Sequence, residues 1–273
     1  MKKFEGILLC TDLDGTLLQN DHTVSRENLD AISYFQREGG LFTFVTGRMP
    51  YFAEDIYKVV VPNAPIGCIN GGGIYDFRTR KYVWTVELPK NVRELVVQVI
   101  RQVDGIGLQV NTFDRVYFCL ENAAMKWFRD ATGMPNLVRD YGDISEPIAK
   151  IVFGDEDESH INAVKSILDA HPMAEQFDFI RSEYRLYEIL PKGVSKGTVL
   201  GKLAEYLNVD MRKTVAVGDY NNDIPMLRAA GCGIAVANAL EEVKACADRI
   251  TVSNDKHAVA RIINDLDSGV LKL

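Results

Sequence analysis

The sequence predicts an α/β protein in two parts: a Rossmann-like parallel-sheet core made from residues 1–82 and 191–273, and an α+β domain, residues 83–190, inserted between them. Three observations predict it. Short apolar runs at both ends of the chain stop at polar or glycine-rich turns and then give way to segments of 3.6-residue periodicity, the pattern of buried parallel strands joined by helices. The middle of the chain changes texture, with five strand-like runs mixed among helical ones. Its length is within the usual range of a domain.

In the first arm the strands are read at 7–11, 41–45 and 66–69. Ser25 is placed to cap a helix whose apolar Leu29, Ile32 and Phe35 share one face, and Gly39 and Gly40 stop it. The inserted part opens with Pro89 ahead of a helix carrying Val92, Leu95, Val96, Val99 and Val103. Strand-like runs follow at 108–110, 116–120, 148–153, 177–180 and 186–190, with a helix at 159–170. After Pro191 the first pattern resumes: Ser195 caps a helix with Val199, Leu203, Tyr206 and Leu207 on one face, then strands at 214–217 and 233–236.

Composition narrows the function. A net charge of -7 opposes binding to a phosphate backbone, which needs clustered Lys and Arg, so no nucleic-acid partner is expected. The five cysteines form no C-x-x-C pair and lie mostly in apolar runs, which reads as buried free thiols. His22, His160, His171 and His257 have no ligand spacing. No apolar stretch approaches the roughly 20 residues of a membrane helix, and no signal sequence is evident, so the expectation is a cytoplasmic protein with no membrane partner.

Ligands of open α/β sheets bind outside the carboxyl ends of the strands. There the first strand carries Thr11-Asp12-Leu13-Asp14-Gly15-Thr16, the second Thr46-Gly47-Arg48, and the fourth Gly218-Asp219-Tyr220-Asn221-Asn222-Asp223; Lys196 opens the helix after Pro191. Asp12 and Asp14, two residues apart at a strand end, repel each other unless a cation or proton intervenes, and Asp219 with Asp223 adds to the repulsion. An oxygen set without His or Cys favours Mg²⁺. Asp-x-Asp by itself is also an ordinary turn or helix cap. Lys196 in a first helical turn faces the positive end of the helix dipole at a cost of about 0.3 to 1 kcal/mol, unless an anion lies beside it.

These four segments, in this order, resemble the motifs of the haloacid dehalogenase superfamily. Asn70-Gly71-Gly72 and the run from Glu188 to Gly197 are similar to its Cof-type phosphatases. The middle resembles the family only in size and texture, as an inserted cap domain that would close over the cleft. Tyr220-Asn221 departs from the glycine and acid common in relatives but leaves Asp219 and Asp223 in place.

The resemblance implies a phosphatase for a small phosphorylated metabolite, with Asp12 as nucleophile and Asp14 as general acid and base. Mg²⁺ would be held by Asp12, the backbone carbonyl of Asp14, Asp219 and Asp223. Thr46, Gly47, Arg48, Lys196 and Asn222 would bind substrate, and a sugar phosphate is the expected ester, with pyridoxal phosphate or flavin mononucleotide as other candidates. A phosphotransferase or phosphomutase would use the same chemistry, and a non-catalytic small-ligand binding protein could keep the same cleft.

Overall fold

A computed structural model describes residues 2–273. The chain divides into two compact units, one formed by Met1–Thr85 with Ser195–Leu273 and the other by Val86–Val194. The first arm runs β1 (Leu8–Thr11), α1 (Arg26–Arg37), β2 (Leu41–Phe44), α2 (Pro50–Val60), β3 (Ile66–Cys68), β4 (Gly73–Asp76) and β5 (Lys81–Thr85). Ser25 accepts a hydrogen bond from the Asn28 amide and so caps α1, and Gly39, in the left-handed region at φ 91°, ends it. Ile32 and Phe35 are buried, and Phe35 packs on the Phe4 ring at 4.8 Å. Each such side chain contributes about 1.5–3 kcal/mol by leaving water.

The inserted unit runs α3 (Val92–Gln102), β6 (Gly107–Thr112), β7 (Val116–Leu120), α4 (Ala123–Thr132), β8 (Ile148–Gly154), α5 (Glu158–Asp169), β9 (Phe177–Glu183) and β10 (Leu186–Pro191). Its strands form one antiparallel sheet in the order β7-β6-β8-β10-β9. One apolar cluster joins Leu95, Val96 and Val99 of α3 and Ile161, Val164 and Leu168 of α5 to Leu108, Val110, Ile151, Phe153 and Ile189 of the sheet.

The second arm runs α6 (Lys196–Tyr206), β11 (Thr214–Gly218), α7 (Ile224–Ala229), β12 (Cys232–Ala235), α8 (Glu241–Cys246), β13 (Arg249–Ile250) and α9 (Ala258–Asp267). Both arms build a parallel sheet in the order β13-β12-β11-β1-β2. β1 lies between β11 and β2, with Leu8 to Thr11 all buried. Asp12 therefore leaves the sheet at the carboxyl end of a central strand, beside the end of β11.

Three details differ from the sequence reading. β3 pairs antiparallel with β4 and meets the parallel sheet only through a bridge between Val45 and Gly67, because the glycine turn after it sends the chain straight back into β4. Tyr206, placed on one face of α6 with Val199, Leu203 and Leu207, is exposed at the last residue of that helix, whereas Val199 and Leu203 are buried. Divisions at 82/83 and 190/191 would cut β5, which pairs with β4, and detach Pro191, which pairs with Phe177 of β9; the units change over after Thr85 and before Ser195 instead.

Candidate active site

Asp12 follows β1 directly, and its amide donates to the Val217 carbonyl of β11 at 2.8 Å, which fixes its backbone against the neighbouring strand. Ser195 caps α6 by accepting from the Thr198 amide, leaving Lys196 in the first turn. α6 lies so close to α7 that a Cβ on Gly197 would come within 2.4 Å of the Pro225 carbonyl oxygen. That approach brings Lys196 to the carboxylates. Its Nζ donates to Asp12 Oδ1 and to Asp223 Oδ1, each at 2.6 Å, and the lysine is 1% exposed. The anions that the helix position of Lys196 calls for are thus supplied by the protein.

Asp223 is wholly buried, and its second oxygen accepts from the amides of Asp219 and Tyr220 at 2.9 and 3.1 Å. The loop after β11 is thereby folded back on itself. Asp219 Oδ1 accepts from the Thr16 hydroxyl at 2.8 Å, which ties that loop to the one after β1. Oxygens of Asp12, Asp219 and Asp223 lie within 4.8 Å of one another.

Burial drives the Asp12 carboxyl well above its ordinary range, and the neighbouring carboxylates add to this against the opposing pull of Lys196. Burial, then Asp223, lifts Asp219 to about 7. Burial alone would lower the Lys196 ammonium, but Asp12 and Asp223 outweigh it and hold its pKa above the usual value. Three carboxylates against one ammonium leave an excess of negative charge, which a proton or a second cation must balance. An all-oxygen donor set of this kind fits a hard divalent ion.

The remaining residues line the same strand ends. Thr46 is buried, and its hydroxyl accepts from the Arg48 amide at 3.2 Å. Gly47 follows it in the loop leading to α2. Arg48 grips Asp14 with two bonds, Nε to Oδ2 at 2.9 Å and Nη2 to Oδ1 at 2.5 Å. The carboxylate of Asp14 is thus engaged by Arg48 and is not one of the three that gather within 4.8 Å of one another. Asn222 is buried and donates to Asn70 Oδ1 at 3.0 Å.

The family model for haloacid dehalogenase-like hydrolases matches residues 9–263. The chain belongs to that family. Among curated haloacid dehalogenase-like proteins, it is 30% identical over 266 residues to the 5-amino-6-(5-phospho-D-ribitylamino)uracil phosphatase YitU of Bacillus subtilis, covering 94% of this chain and 96% of that one. It is 27% identical to the phosphatase YwpJ of the same organism, over 95% of this chain and 99% of the relative. A solved haloacid dehalogenase-like hydrolase from Bacteroides thetaiotaomicron superposes with a TM-score of 0.81 at 26% identity, covering 95% of this chain and 99% of that one. The chain is a Cof-type haloacid dehalogenase phosphatase, a phosphomonoester hydrolase. Among the described residues no helix is long and apolar enough to cross a membrane.

Asp12, Lys196, Asp219 and Asp223 form one bonded group, Asp14 with Arg48 a second, and Asn222 with Asn70 a third. Asn70 and Thr16 stand within segments that carry the resemblance, but the sequence assigns neither a role of its own, since the partners Asn222 and Asp219 lie far along the chain. Asn70 takes a left-handed conformation at φ 52° and is 1% exposed, a position where an asparagine serves by its side chain as well as its backbone.

Proposed function

We propose that this protein is a Mg²⁺-dependent phosphatase acting on a small phosphorylated metabolite, a sugar or sugar-alcohol phosphate, through an aspartyl-phosphate intermediate on Asp12. The observation that carries this reading is the buried Lys196 bonded to both Asp12 and Asp223 at the carboxyl end of a central strand. Such a lysine holds the Asp12 carboxylate in one orientation and leaves charge complementarity for phosphoryl oxygens. Asp12, Asp219, Asp223 and the Asp14 carbonyl are the groups that would hold the metal, which supplies screening between a carboxylate nucleophile and an anionic substrate.

In the first step an Asp12 oxygen forms a bond to phosphorus while the bond from phosphorus to the ester oxygen breaks, its electron pair going to that oxygen. Asp14 gives its proton to the departing alcohol. A water then adds to phosphorus, Asp14 takes a proton from it, and phosphate leaves with the Asp12 carboxylate restored. Lys196, Thr46 with Gly47, and Asn222 orient the phosphoryl oxygens, which is where most of the catalysis in phosphoryl transfer arises. Asp14 must leave Arg48 to act as acid, and the substrate phosphate is an anion able to take that guanidinium in exchange. The name of YitU, which specifies a phosphoribityl compound, supports a sugar-alcohol phosphate here.

Mixing the enzyme with a ³²P-labelled sugar phosphate, quenching in acid and mapping peptides tests the intermediate. Label on the peptide containing Asp12, removable by hydroxylamine, is the expected result. Turnover of the same ester with no protein-bound label at any quench time would contradict it.

A further inference from the structure

The turn that carries Asp14 is irregular: Asp14 is extended at φ -74° and ψ 120°, and Gly15 is left-handed at φ 76°. A Cβ on Gly15 would come within 2.5 Å of Asp219 Oδ2, so the backbone at this point has to lie against that carboxylate. The turn closes on itself through Leu17 N to the Asp12 carbonyl at 3.3 Å and Leu18 N to the Leu13 carbonyl at 2.9 Å. Neither bond involves a peptide group of Asp14 or Gly15. The Gly15 carbonyl is held from the other arm of the chain.

Asn238, just past β12, donates from Nδ2 to the Gly15 carbonyl at 2.8 Å. Its Oδ1 accepts from the Asn254 amide at 3.0 Å. Asn254 is buried, and its own Nδ2 donates to the Leu18 carbonyl at 3.0 Å and to Asn20 Oδ1 at 3.1 Å. Two linked amides therefore hold the turn at both ends, at Gly15 and at Leu18, and anchor it to the segment ahead of α9. A donor side chain is required at 238, because what it meets is a carbonyl.

We propose that Asn238, backed by Asn254, is a positioning residue that aims Asp14 at the leaving-group oxygen. The inference rests on the reading of Asp14 as proton donor. It assigns Asn238 to the departure of the alcohol, separately from the metal and from phosphate binding. Without the brace the turn keeps its hold at Leu18 and loses the one at Gly15, so that once Asp14 exchanges Arg48 for substrate the backbone from which its carboxyl projects lacks one fixed point. A displacement on the order of 1 Å in a reacting group costs up to about 100-fold in rate.

Leaving-group dependence tests this. An alkyl phosphate needs a proton on its departing oxygen, whereas p-nitrophenyl phosphate does not, because nitrophenolate is stable as an anion. The variants are Asn238→Ala, Asn238→Asp and Asp14→Asn; Asn238→Asp keeps the oxygen that Asn254 uses and loses only the donor to Gly15. Both Asn238 variants should slow formation of the phosphorylated Asp12, read in rapid-mixing single turnovers, by about 10- to 100-fold with an alkyl phosphate and leave it within about twofold with p-nitrophenyl phosphate; hydrolysis of the intermediate, where Asp14 serves as base, is common to both esters. Half-saturating Mg²⁺ and melting temperature should hold, and Asp14→Asn should show the same selectivity for the alkyl ester in that first step, while slowing hydrolysis of the intermediate from either ester. If Asp14→Asn shows that selectivity but the Asn238 variants lose both esters equally, or shift half-saturating Mg²⁺ instead, the positioning role is wrong and the mechanism stands. If Asp14→Asn slows formation of the phosphorylated Asp12 from both esters alike, the acid role fails and the inference with it.

Discussion

Two buried lysines, one in each unit, sit against carboxylates and do opposite things. Lys150 on β8 meets Glu188 on β10 at 2.9 Å, and the second Glu188 oxygen accepts from the Ser182 hydroxyl at 2.5 Å. One ammonium answers one carboxylate there. Lys196 contacts two carboxylates, with Asp219 as a third beside them. A matched pair closes its own account of charge and belongs to the sheet it braces. An unmatched cluster is tolerated only where something else arrives to complete it, and in this family's site that points to a cation and a phosphate.

The sharpest way to break the comparison is to remove each lysine. Lys196→Met should lower phosphate release by about 100- to 1000-fold, as the loss of a preorganised charge at a transition state does; a loss under tenfold in steady-state assays would place Lys196 outside the chemistry. Lys150→Met should instead act on stability, costing about 3–5 kcal/mol in urea unfolding because a buried carboxylate loses the ammonium that faces it. Replacing both, as Lys150→Met with Glu188→Leu, should recover most of that loss. Failure to recover it would mean the pair does more than brace the sheet.

A smaller effect comes from the Thr16 bond to Asp219. Thr16→Val should weaken half-saturation by Mg²⁺ by about tenfold while leaving the maximal rate near wild type, as expected when a group supporting a metal ligand is lost. Unchanged half-saturation would exclude Asp219 as a ligand.

The smallest effect is a slope. Asp219 has a folded pKa of about 7 against an ordinary 3.8, so between those values the folded state keeps a proton that the unfolded state has released. Its contribution to stability is present in full below the lower value, falls as pH rises through the window, and is gone above about 7. In EDTA, wild type should therefore lose melting temperature from pH 4 to 7 more steeply than Asp219→Asn, and saturating Mg²⁺ should remove the difference. Parallel curves for the two proteins in EDTA would contradict the charge assignment.

The parallel sheet was legible because its strands are short apolar runs ending in turn residues, and Ser25 and Ser195 mark their helices by the capping chemistry observed. The strand-end carboxylates and Lys196 were legible because one sheet edge collects what the sequence scatters. Other elements were not. β4 and β5 are short and β13 is two residues long, and α4 is announced only by the pair Glu121-Asn122, of which Asn122 caps it by accepting from the Met125 amide. The grip of Arg48 on Asp14, the Asn70 contact with Asn222 and the Asn238 brace depend on side chains meeting across the fold from 34, 152 and 223 residues away, and no local pattern encodes such a meeting.

The central claim is that Asp12 and a divalent ion together carry the hydrolysis. Phosphate release from a panel of sugar, sugar-alcohol and coenzyme phosphates by wild type and by Asp12→Asn, each with Mg²⁺ and with EDTA, tests it most directly. The account predicts release by wild type with Mg²⁺ alone, with EDTA and Asp12→Asn each lowering it by at least about 1000-fold. Undiminished release by folded Asp12→Asn, or by wild type in EDTA, would contradict it.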